Sequence, residues 1–128
     1  MQGRAAPTLA DEQRRLAALF QGTPVLFALN ADGSLRVEVP LRFCFDPGRA
    51  VVKPPLAAVL DRLARSQRDA TTRFALTAPL DRGSRDAALA PARSDSVQRY
   101  LVERGIAASR FLPAGQTISG WIRIVVAV

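Results

Sequence analysis

Two side chains of opposite sign bracket the stretch DRGSRDAALAPAR: Asp81 opens it ahead of a Gly/Ser turn, and Arg93 follows just past Pro91. An arginine fork can hold a carboxylate in a two-pronged, charge-assisted hydrogen bond, and an aspartate can accept from a cation. A turn and a following helix that brought the two together would form a grip for a charged ligand. The bland alternative is a loop carboxylate and a structural or solvated arginine joined as a surface ion pair, worth about 0–1 kcal/mol.

Few other chemistries can be written from this chain. Histidine is absent and Cys44 is the single cysteine. That leaves no zinc constellation and no Ser/His or Cys/His nucleophile pair. Gly83 stands alone in its turn, without a phosphate-cradling glycine loop. We therefore expect no enzyme, no cofactor and no metal. Cys44 lies in an apolar alternation and reads as a small core or surface thiol. Asp46, ahead of Pro47-Gly48, reads as a turn former.

The net charge is +7, and Lys53 is the only lysine among 18 basic residues. A basic domain raises the question of nucleic acid. The arginines are scattered, however, and Tyr100 and Trp121 stand alone, with no aromatic and basic strand of the kind that stacks bases. No nucleic-acid partner is expected. At 128 residues and 48% hydrophobic content the chain suits one domain with a real core. No apolar run reaches membrane-spanning length, so no transmembrane segment is expected. The start, MQGRAAPTLADEQ, lacks the apolar stretch of a signal peptide; Met1-Gln2-Gly3 reads equally well as a cloning scar where an export signal was removed.

The elements that must position the pair follow from periodicity. Residues 8–20 predict a short helix capped by Thr8 with Asp11 three residues on, stopped by Gly22 and Pro24. VLFALN, the turn ADGS and LRVEVPLRFCF predict a hairpin. Its second strand carries Leu35, Val37, Val39, Leu41, Phe43 and Phe45 on one face, with Arg36, Glu38, Pro40 and Arg42 on the other. Pro40 cannot donate to a ladder, which predicts a free or interrupted edge there. Pro54 and Pro55 suit the first turn of a helix over 55–67 bearing Leu56, Val59, Leu60 and Leu63. A strand follows over 72–78, then a helix beginning near Ala90 with Pro91 in its first turn, stopping at Gly105. WIRIVVAV closes as a strand with Ile122, Ile124, Val126 and Val128 on one face. Such an order predicts a mixed sheet with helices over one face.

This order, with FCFDPGRAVVKPPLAAVLDRLA, then LDRGS, the Arg93 helix, YLVERGIAASRF and a terminal WIRIVV, resembles the OmpA-like peptidoglycan-associated domain from about Leu35 to Val126. The resemblance implies an α+β fold, a βαβαβ two-layer sandwich over 35–128, preceded by a helix and hairpin strand over 1–34, the whole forming one compact unit. It also implies a non-covalent, periplasmic anchor to the peptidoglycan stem peptide, attached to the outer or inner membrane through an upstream segment or a partner. Family members hold diaminopimelate with an aspartate after the second core strand and an arginine on the next helix. By that matching Asp81 and Arg93 are the ligand-binding pair, with Asp86 and Arg123 as further candidates. The chain departs from the pattern where relatives carry Gly-His-Thr-Asp: it has Ala78-Pro79-Leu80-Asp81. Asp86 replaces an asparagine, and the spacing from Asp81 to Arg93 is shortened. A degenerate domain that binds other envelope proteins instead of the wall is the alternative these departures leave open.

Overall fold

The computed structural model describes residues 8–81, 83–117 and 120–128. Helix α1 (Leu9–Leu19) starts at the expected capping box: Thr8 Oγ1 accepts from the Asp11 N–H, and the Asp11 carboxylate accepts from the Thr8 N–H. Strands β1 (Leu26–Leu29) and β2 (Leu35–Pro40) form the antiparallel hairpin. Its turn closes through Asn30 N–H to Ser34 O at 2.9 Å, and Gly33 supplies the positive φ of +85° that the turn requires.

Alternation predicts a single strand from Leu35 to Phe45, and here the structure differs. β2 ends at Pro40, and Leu41–Phe43 form a turn of 3-10 helix. The N–H groups of Cys44 and Phe45 fold back onto the Leu41 carbonyl at 2.9 and 3.0 Å. The neighbours Cys44 and Phe45 are both buried just past this turn. Pro40 faces Trp121 on one side and lies beyond the last β1 partner, Glu38, on the other. The open edge expected at this proline is therefore present.

Lys53 precedes helix α2 (Pro54–Gln67) at the N-cap position without a side-chain cap bond; the first residues of the helix are the two prolines, and its buried stripe includes Leu56, Val59, Leu60 and Leu63. Strand β3 (Arg73–Pro79) turns Phe74, Leu76 and Ala78 inward. Helix α3 (Leu89–Glu103) begins one residue before the expected start, so Pro91 falls in the first turn, where its missing N–H has no intrahelical partner to lose. Strand β4 (Gly115–Thr117) was not predicted; three residues are too few to show a period. Strand β5 (Trp121–Ala127) completes a sheet of order β1-β2-β5-β3-β4, parallel only between β3 and β4.

Register explains the core. Across β2, β5 and β3, Leu35 lies opposite Val126 and Val126 opposite Phe74; Val37, Ile124 and Leu76 form the next row. These rows make one continuous apolar face, and the buried stripes of all three helices join it in one cluster. Full burial of a side chain such as Phe74 contributes about 1.5–3 kcal/mol. Val128, expected on this face, lies past the last register pair of β5 and is fully exposed. Outside the core, α2 and α3 are tied at the surface by Asp61, which accepts from the Tyr100 hydroxyl at 2.8 Å and from Arg104 Nε at 2.7 Å. Among the described residues no helix is long and apolar enough to cross a membrane.

Candidate ligand-binding cleft

The buried stripe of α3 runs Leu89, Ala90, Arg93, Ser94, Val97, Leu101. Helical spacing thus carries Arg93 inward with the leucines and valine at four-residue steps. Its side chain has no exposed surface. An unpaired guanidinium taken out of water costs several kcal/mol, so its donors must be met. They are. Nε donates to Arg49 O at 2.9 Å, Nη1 to Pro79 O at 3.1 Å, and Nη2 to Asp81 Oδ1 at 2.7 Å, with a longer contact to Asp46 O at 3.4 Å. The Phe45 ring lies against the same group, 5.3 Å from centroid to Cζ.

Arg93 therefore fastens together three pieces of chain: the end of β3, the loop 46–49 and Asp81. The loop is shaped for this. The Arg49 N–H closes a turn on Asp46 O at 3.0 Å, and Gly48 takes φ +71°, which leaves its N–H pointing at Asp81 Oδ2, 2.5 Å away. Ser96, one turn further along α3, donates to Ala50 O at 2.6 Å and holds the far end of the loop. Partial burial alone would raise the pKa of Asp81. The bonds from Arg93 and Gly48 and the guanidinium charge outweigh it and keep the carboxyl below the ordinary carboxylate range. Beside this pair, burial pushes the Cys44 thiol up to about 12, against the pull of Arg93 and Lys53.

Asp81 is the member of the pair that reaches solvent. Its side chain is 22% exposed and lines a cleft of about 810 Å³. Phe45, Pro40, Leu41 and Trp121 give the cleft apolar walls, and Arg42, Asp46 and Lys53 share its charged side with Asp81. Lys53 Nζ lies 3.1 Å from Asp46 Oδ1 and donates to Arg42 O at 2.9 Å. Asp46 is a turn former, as the sequence suggests, and its carboxylate also faces the cleft. Arg42 and Lys53 were not singled out from the sequence. Alternation placed Arg42 on the polar face of a strand, and nothing local marked the 3-10 turn that brings it round to the cleft.

The other two candidates do not lie with the pair. Asp86 is exposed and accepts from the Ala88 N–H at 3.0 Å, in the turn that leads into α3. Its side chain serves the helix entrance, where a carboxylate also meets the positive end of the dipole. Arg123 lies on the sheet face opposite the core, where Glu38 is its cross-strand partner, and Nε donates to Glu38 Oε2 at 2.8 Å. It is not among the residues that line the cleft. Arg93 is ion-paired directly with Asp81, the arrangement of the bland alternative, and is a buried fastener rather than an open fork. A larger groove, of about 950 Å³, runs between α1 and the end of α2 and includes neither Asp81 nor Arg93.

No protein-family model matches the chain, and no curated protein matches it in sequence. Solved structures do. A MotB-like protein from Desulfovibrio vulgaris is similar at a TM-score of 0.74 and 16% identity, over 93% of this chain and 91% of that one. The cell wall anchor of the T6SS from Pseudomonas aeruginosa is similar at 0.73 and 18%, over 97% and 99%. The OmpA-like domain of FopA1 from Francisella tularensis is similar at 0.59 and 9%, over 80% and 79%. What is shared at these identities is the architecture: the chain has the α+β fold of the OmpA-like domain.

Proposed function

We propose that the chain is a non-covalent peptidoglycan-binding module that anchors an envelope protein to the cell wall in the periplasm, through the diaminopimelate of the stem peptide. One observation carries the reading: in an OmpA-like fold, Asp81 is held from behind by Arg93 and Gly48 and presents part of its carboxylate to an apolar-walled cleft. A neighbour in structure is described as a cell wall anchor, which supports the same reading. Diaminopimelate carries an ammonium and a carboxylate on one carbon at the end of an aliphatic stem. Asp81 accepts from the ammonium in a charge-assisted bond. The stem lies against Phe45 and Trp121. Arg93 is a positioning residue here: it fixes the carboxylate without touching the ligand. The task is binding and needs no catalytic group or cofactor.

Co-sedimentation with purified sacculi tests the reading. The wild type is expected in the pellet, and Asp81→Asn is expected largely in the supernatant. A wild type that stays in the supernatant overturns it.

A second reading has its own motive. Arg62, Arg65 and Arg68 are exposed along α2 at successive helical turns, and none forms an ion pair among the described residues. Such a stripe suits an acidic protein partner in the envelope. Binding of a defined envelope protein, lost on reversing these charges and unaccompanied by any binding to sacculi, favours it.

A further inference from the structure

We propose that Arg42 takes the carboxylate of the bound amino acid, the task that family resemblance would give to Arg93. This assignment rests on the wall-binding reading above.

A ligand with both an ammonium and a carboxylate needs both signs of charge at the surface of the cleft. Arg93 cannot supply the positive one. Its side chain is fully buried, and its nitrogens already serve the Arg49 and Pro79 carbonyls and Asp81, with Asp46 O close by. Turning the guanidinium outward would strip these groups of their donors at once and leave buried acceptors unpaired. The cation must therefore come from a residue that reaches the cleft. Among the described residues two do, Arg42 and Lys53.

Charge pairing separates them. Lys53 is engaged with Asp46 and with the Arg42 carbonyl. Asp81 is matched by Arg93. Arg42 is exposed and has no carboxylate partner among the described residues, so its fork is the unmatched charge of the cleft. It is also held in place. Its Cζ sits 4.7 Å from the centroid of the Phe43 ring, and its backbone carbonyl is fixed by Lys53. Arg42 lies in the turn of 3-10 helix that follows the end of β2 at Pro40. A planar fork free of other partners is suited to two-pronged recognition of a carboxylate.

Lysine is diaminopimelate without its distal carboxylate, so a pair of muropeptides differing only in that residue isolates the contact. Calorimetric titration of the wild type is expected to favour the diaminopimelate form over the lysine form by about tenfold or more, the range of a charged hydrogen bond. Arg42→Gln is expected to bind the lysine form as the wild type does and to lose the preference. Arg42→Lys is expected to keep part of it. Because Arg42 is exposed, thermal unfolding of each variant should match the wild type. A preference that survives intact in Arg42→Gln overturns the assignment while leaving wall binding in place. A wild type that binds neither muropeptide overturns the function and the assignment together.

Discussion

Arg93 Nη2 lies 2.7 Å from Asp81 Oδ1, yet the two ends of this bond see different surroundings: the arginine side chain has no exposed surface, while the aspartate side chain keeps 22% of its own. The pair is one-sided. Its buried half organises loop 46–49 and the end of β3, and its open half faces the cleft. A shared ion pair thus joins a fully buried arginine to a part-exposed aspartate.

Truncating the buried half should cost far more than a surface ion pair does. Arg93→Met is expected to lower unfolding stability by about 3–5 kcal/mol in urea titration, because Asp81 and the carbonyls of Pro79 and Arg49 lose their donor together. Arg93→Lys should rescue little, since an ammonium cannot span these diverging acceptors. Hydrogen exchange should accelerate at the Gly48 amide in both variants, as its acceptor Asp81 loses its anchor.

Acid should loosen the same pair. The folded pKa of Asp81 lies below its ordinary value of 3.8, so the folded state favours the ionised form. The stabilisation is complete above 3.8 and is lost as pH falls through the lower, folded value. The stability difference between wild type and Asp81→Asn should stay constant from neutral pH down to about 5 and then shrink as pH drops below 3.8. A difference unchanged between neutral pH and pH 3 would mean that the Asp81 charge does not stabilise the fold.

Arg123 and Asp86 should prove separable from the cleft. Arg123→Ala is expected to change stability by no more than about 1 kcal/mol, as a part-exposed cross-strand pair should. Asp86→Ala should cost a similar amount through the entrance of α3. Neither should alter sedimentation with sacculi.

Gly105 ends α3 with φ +104°, and a Cβ built there would lie 2.7 Å from Arg68 Cδ. Gly105→Ala is expected to cost about 1–2 kcal/mol in chemical unfolding, mainly for the backbone conformation. Adding Arg68→Ala should recover little, because the arginine stem can move aside and φ cannot.

Much of this fold was legible in the chain because its signals are local. Thr8 with Asp11, the Asp32-Gly33 turn, Pro54-Pro55 and the start of WIRIVVAV at Trp121 each set a boundary that the structure keeps. Where a local rule met a tertiary demand, the sequence misled. Leu41, Phe43 and Phe45 keep perfect alternation, but β2 ends at Pro40 and the chain beyond it turns, with Cys44 and Phe45 both buried. The resemblance placed Asp81 and Arg93 together as two ligand contacts and not as an ion pair, while the burial of Arg93 had a signal of its own: Leu89 and Val97 stand four residues to either side, placing it on the apolar stripe of α3. Arg42 had no such signal, since its position depends on a turn that only the folded loop explains.

The claim on which the rest depends is that Asp81 meets the ligand. Calorimetric titration with a diaminopimelate muropeptide, comparing wild type with Asp81→Asn, tests it most directly. Saturable binding by the wild type, weakened about tenfold or more in an Asp81→Asn variant that remains folded by circular dichroism, is the predicted result. No heat from the wild type at millimolar ligand, or equal affinity in the two proteins, would contradict it.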